Sequence, residues 1–164
     1  KNGTYYTTDY DLSNHYEEGF SVIEKYEPEK VWSAVFFDAE QQFYYLKRFR
    51  FENVVRHTLF IGETEGSYLV ALSGEKRPRF EVVFGGRYES RPAEVIVADE
   101  FIAEKSHKAR GKRVTTYEVK QINEIEPLDS GEEESEDTTS TDIDFEITNP
   151  DMLSDEAQMK LDFE

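Results

Sequence analysis

Short apolar runs broken by polar turns organise most of this chain. Val31-Trp32-Ser33-Ala34-Val35-Phe36-Phe37, Phe43-Tyr44-Tyr45-Leu46, Ser67-Tyr68-Leu69-Val70-Ala71-Leu72, Phe80-Glu81-Val82-Val83-Phe84, Glu94-Val95-Ile96-Val97 and Val114-Thr115-Thr116-Tyr117-Glu118-Val119 are rich in β-branched and aromatic residues and bounded by turn formers. Runs of that length and composition predict strands. A helical period shows only over Phe49–His57, where Phe51, Val54 and Val55 would share a face. The expected class is all-β.

The turns repeat. Three times an apolar run meets a polar turn and returns as a strand with basic residues near its start: Val31–Asp38 to Phe43–Phe49; Tyr68–Leu72 through Ser73-Gly74-Glu75-Lys76 to Arg77–Val82; Phe101–Glu104 through Lys108–Lys112 to Arg113–Tyr117. Asn2–Thr8 reads as the second half of a fourth unit. The turns at Gly3, Gln41, Gly74 and Gly111 are spaced by 38, 33 and 37 residues. Such a period in an all-β chain predicts a propeller-like array, because one blade cannot bury its own face and needs neighbours. Gly85-Gly86 reads as a turn between blades.

Charge divides the chain. Residues 1–125 carry 18 Lys+Arg against 21 Asp+Glu, a balance of −3, and residues 126–164 carry one Lys against 15 acids, a balance of −14. The expected organisation is a folded body over 1–125 and an acidic, largely irregular tail over 126–164. Within the tail, residues 130–141 have no apolar side chain to offset the cost of ordering a backbone, so they read as a linker. No apolar run reaches the roughly 20 residues of a membrane helix, and no secretory leader opens the chain. The absence of cysteine excludes disulfides and thiolate sites and fits a reducing, cytoplasmic setting. Lys1 in first position reads as the start of a piece of a longer protein.

The basic residues fall into three clusters: Lys47, Arg48 and Arg50; Lys76, Arg77 and Arg79; and Lys105, Lys108, Arg110, Lys112 and Arg113. In equivalent places of stacked blades they would draw a positive stripe along one rim, able to neutralise consecutive phosphates without reading bases. Turn residues are also commonly basic simply because they are solvated. That explanation is weakest for the third cluster, where Lys105–Arg113 holds no acid among nine residues. Other chemistry finds little support. His15, His57 and His107 lie far apart with no carboxylate at ligand spacing, so no metal site is expected. No phosphate loop or dinucleotide fingerprint occurs, and no cofactor is expected. Asn2-Gly3-Thr4 matches a glycosylation acceptor by chance. Tyr5, Tyr6, Tyr44, Tyr45 and Tyr68 read as strand residues packing between blades.

The stretches Lys25–Asp38, Tyr44–Phe49, Glu81-Val82-Val83-Phe84-Gly85-Gly86 and Lys108–Glu118 resemble the C-terminal domain of bacterial type IIA topoisomerase A subunits, of the topoisomerase IV or gyrase kind. The resemblance covers most of 1–125. It implies a β-pinwheel, a propeller-like disk whose blades exchange strands and whose basic rim contacts duplex DNA. It also implies a parent that hydrolyses ATP and is associated with the nucleoid, whose remaining A subunit and ATPase subunit are partners. The DNA-cleaving tyrosine would then lie outside this chain, with no catalytic residue here. A complete pinwheel needs roughly twice this body, so about three blades are expected. A gyrase-type basic box with two consecutive glycines is missing; Lys108–Arg113 has one glycine, which favours topoisomerase IV.

In the tail, Thr141–Thr148 alternates so that Ile143, Phe145 and Ile147 could add to a sheet edge. Gln158–Phe163 resembles peptides that bind the bacterial sliding clamp. Two functions of different class follow: a non-catalytic DNA-binding module modulated by its acidic tail, or a propeller-like protein-interaction module whose tail recruits basic partners.

Overall fold

The computed structural model describes residues 2–16 and 18–128. The segment 130–141 read as a linker, the alternating segment 141–148 and the Gln158–Phe163 peptide lie outside the described residues. Among the described residues, regular structure is nearly all strand, in antiparallel sheets of which none closes into a barrel.

The frame is one hairpin. β2 (Trp32–Asp38) and β3 (Phe43–Phe49) pair in continuous register from Trp32↔Phe49 to Asp38↔Phe43. Asp38 closes the turn: its carboxylate accepts from the backbone N–H of Glu40 at 2.9 Å, and its carbonyl accepts from Gln42 at 2.7 Å. Gln42 takes the left-handed conformation, φ 61°, that the turn demands. β5 (Tyr68–Ser73) adds to the free edge of β2 and β8 (Lys112–Arg113) to the free edge of β3, making the order β5-β2-β3-β8.

This sheet is covered on both faces. Val35 and Leu46 join Phe80, Val82, Phe84, Ala98, Ile102 and Ile122 in one core, and Trp32, Ala34, Phe36, Tyr45, Phe49, Phe60 and Ile61 form another. Successive side chains of a strand point to opposite faces, so β2 must be apolar at nearly every position, which is why it reads as an unbroken run. The first core lies against a three-stranded sheet, β7-β6-β9, made by β6 (Arg79–Phe84) between β7 (Glu94–Val97) and β9 (Val119–Ile125). The second is closed by a short pair, β1 (Thr4–Tyr5) with β4 (Thr58–Leu59). Phe36 and Phe49 are essentially sealed, at 1% and 0% exposure. Each such ring stabilises the fold by roughly 1.5–3 kcal/mol.

Several expectations need correction. Phe49–His57 is not helical: Phe51 leaves the strand to pack among Tyr5, Phe49 and Phe60, with centroids 4.3, 4.8 and 5.3 Å away, and Val55 is exposed. Of the three proposed strand–turn–strand units only the first is a hairpin. The turn after Ser73 carries the chain out of one sheet into the other, since β5 pairs with β2 and β6 with β7 and β9. In the third unit, Ala98–Phe101 forms a single helical turn, α1, and the chain returns to the edge of β3. Val114–Val119 is not one strand. Val114 donates to the Tyr44 carbonyl at 2.8 Å, and pairing with β6 begins only at Val119. Gly85-Gly86 opens the connection from β6 to β7 within one sheet, not between sheets.

Candidate nucleic-acid interface

The first and third basic clusters meet on the free edge of β3. Glu104 forms a parallel bridge to Arg48, and the Lys105 N–H donates to the Arg48 carbonyl at 2.8 Å. Eight residues later Lys112 and Arg113 pair with Leu46 and Tyr45. Residues 104–113 therefore leave β3 and return to it as a loop with both feet on one strand. Gly111, at φ +97°, makes the return possible: a Cβ there would fall 2.7 Å from the Leu46 carbonyl oxygen and 2.9 Å from the Lys47 Cβ. No L side chain fits that approach.

Lys47 lies under the loop. It is 4% exposed, and its Nζ donates to the carbonyls of His107 at 2.6 Å and Ala109 at 3.1 Å. The rings of Phe36 and Phe49 stand 5.5 and 5.3 Å from the same nitrogen. Burial pushes its pKa down to about 8, so it stays largely protonated at neutral pH. Though expected among the phosphate-facing residues, Lys47 is buried, with its ammonium turned to two backbone carbonyls.

The loop's own cations differ from one another. Lys105 and Lys108 are exposed and meet no carboxylate within ion-pair distance among the described residues. Arg110 stands loosely off Asp38 and Glu40, at 3.9 and 3.8 Å. Lys112 lies over the Phe101 ring at 4.3 Å and donates to the Phe101 carbonyl at 3.2 Å; Arg113 lies over Phe43 at 4.0 Å. Rings hold a cation in place without cancelling its charge.

The other two clusters are more heavily engaged. Arg50 pairs with Glu29 at 2.8 Å and Glu104 at 3.0 Å. Arg48 is half-buried, one amine reaching the Ile102 carbonyl at 3.4 Å and its Nε buried without a partner among the described residues. Arg77 is shared between Asp99, at 2.9 Å, and Glu100 of α1. Arg79 donates to the Glu126 carbonyl at 2.7 Å, and Lys76 is exposed and meets no carboxylate within ion-pair distance among the described residues. The second cluster sits at the entry to β6 in the other sheet, apart from the β3 edge.

The remaining polar residues have local explanations. His107 is 2% exposed. Burial holds its pKa below the usual imidazole range, against the opposing pull of Glu52, whose Oε1 stands 3.5 Å from Nδ1. His57 stacks on Tyr6 at 4.4 Å. Tyr44 shares a 2.9 Å hydroxyl contact with Tyr68, and burial pushes its pKa up to about 12. Among the described residues no group of three or more metal-ligating side chains occurs, and no helix is long and apolar enough to cross a membrane.

Sequence reasoning passed over one basic group. Around the Gly86–Tyr88 turn, Arg91 lies on the Tyr117 ring at 4.2 Å, Arg87 over Tyr88 at 5.0 Å, and Lys120 near Glu89 at 3.5 Å. Arg87 follows Gly85-Gly86 and, with Arg91, brackets Tyr88; their spacing to Lys120 is set by the sheet, which leaves no linear signal.

Residues 1–126 match the family described as topoisomerase C-terminal domain, Bacteroidota. No match was found among curated proteins or among solved structures.

Proposed function

The chain belongs to the family of topoisomerase C-terminal domains of Bacteroidota, and from that premise we propose that it is a non-catalytic DNA-binding module of a type IIA topoisomerase A subunit. The observation that carries this reading is the 105–113 loop: five cations with no acid in the segment, anchored at both ends to a buried strand. Counterions condensed on DNA are released when such cations meet phosphates, so the contact would be strong at low salt and indifferent to sequence. Lys105, Lys108, Arg110, Lys112 and Arg113 form the contact, with Lys76 of the other sheet able to add to it on a curved duplex, while Arg48 and Arg50 are held by the Ile102 carbonyl and by Glu29 and Glu104. Arg77 and Arg79 serve the fold instead. One sheet covered on both faces, with a connection that passes from it to the next, supports a β-pinwheel of about three blades.

The acidic segment 126–164 acts against this contact. A polyanion of net charge −14 on the same chain stands at high effective concentration and repels approaching DNA. The experiment is a duplex titration of the full chain at about 50 and 200 mM salt, where five contacts predict a loss of between about two and three orders of magnitude in affinity. Truncation after Pro127 should raise affinity, most at low salt. Salt-insensitive binding, or none, would leave the protein-interaction reading. In that reading the acidic segment 126–164 recruits basic partners.

A further inference from the structure

We propose that Lys47 is the positioning residue of the 105–113 loop: from beneath, its ammonium clasps the middle of the loop to β3 and sets where the loop's cations stand. The clasp rests on geometry; its consequence for DNA rests on the function proposed above.

Backbone pairing to β3 holds only the feet of the loop, Glu104-Lys105 at one end and Lys112-Arg113 at the other. Between them, the hydrogen bonds among described residues within the loop are the Ala109 N–H to the Ser106 carbonyl at 2.9 Å and the Lys108 N–H to Ser106 Oγ at 3.1 Å. Neither ties the loop to the sheet. The two bonds from Lys47 Nζ do, and they fall on His107 and Ala109, the residues that flank Lys108. A donor with a single hydrogen could not serve two carbonyls; an ammonium has three.

Burying an ammonium is costly, and a methionine of similar length would fill the space between Phe36 and Phe49 without that cost. A buried charge at this position is explained by the use made of its donors. Without them the carbonyls of His107 and Ala109 would be left facing the strand unpaired, and the loop crown would move out to find water. Lys47 thus contacts no phosphate and still governs the contact, by sparing the loop's cations the entropy of being ordered on binding.

Two variants of the full chain test this. Lys47→Met removes the donors and keeps the volume. Gly111→Ala forces the loop off β3 while leaving the charge, because its Cβ has no room beside the Leu46 carbonyl. Amide hydrogen exchange reads the clasp: in both variants residues 106–111 should exchange about tenfold faster while Val35 and Phe36 in β2 stay protected. Duplex titration reads the consequence: affinity should fall about fivefold in both. Unchanged exchange over 106–111 overturns the clasp. A loosened loop with wild-type DNA affinity overturns the positioning role. If the unaltered chain shows no salt-sensitive duplex binding, the DNA reading fails, and the role in presenting cations fails with it, while exchange still judges the clasp. Should Lys47→Met not fold, Gly111→Ala gives both readouts alone.

Discussion

Two basic stretches of this domain look alike in sequence and behave as opposites in structure. Lys76–Arg79 and Lys105–Arg113 each place cations in a turn that leads into a strand. In the first, Arg77 meets Asp99 and Glu100 and Arg79 caps the carbonyl of Glu126, so two of the three cations bind the protein to itself. In the second, Lys105 and Lys108 meet no acid among the described residues, Arg110 stands only loosely off Asp38 and Glu40, and Lys112 and Arg113 rest on aromatic rings. Basic residues mark a nucleic-acid surface only where nothing in the fold has already neutralised them.

That contrast can be broken from either side. The largest effect should come from reversing charge in the loop. Lys108→Glu combined with Arg110→Glu should lower duplex affinity about a hundredfold near 100 mM salt, with thermal stability little changed. A loss of folding with no separate loss of binding would show that the loop is structural.

Arg77→Ala should do the reverse. It breaks a partly exposed pair of contacts to α1 and should cost about 1 kcal/mol in urea unfolding, while duplex affinity stays within about twofold. A clear fall in affinity would restore the second stretch to the DNA surface.

The smallest effect concerns pH. The folded-state pKa of Lys47 is lowered from 10.5 to about 8. Between those values the unfolded chain holds a proton that the folded chain has released, so stability rises with pH. From pH 8 to 9.5 the gain should be somewhat under about 1 kcal/mol, because the carbonyl bonds favour the charged form and oppose the shift. Tyr44, held up near 12, acts in the opposite direction above about pH 10, which closes the window. Equal pH slopes for wild type and Lys47→Met would remove Lys47 as the source.

How much of this could be read from the sequence follows from burial. β2 was legible because both its faces are covered and every position must be apolar. β9 was not: only Ile122 of its seven residues is buried, so Val119–Ile125 reads as polar chain. The loop was legible as a run of five cations with no acid among nine residues, although the sequence could not show that distant Asp38 and Glu40 approach its Arg110. The engagement of Arg77 was not, since its carboxylates come 22 and 23 residues later on a helical turn that the apolar pattern does not announce. Lys47 was the least legible. A lysine beside Arg48 on a strand reads as solvated, and its burial is decided by carbonyls 60 and 62 residues away.

The most direct test of the account is the slope of log affinity against log salt for duplex binding by the full chain, measured for two double variants beside wild type. Lys108→Ala with Arg110→Ala should flatten the slope by about two units, for every duplex sequence alike, and Arg77→Ala with Arg79→Ala should leave it unchanged. A slope unaltered by the loop variant, or flattened equally by both, would contradict the claim that the 105–113 loop is the surface that meets DNA.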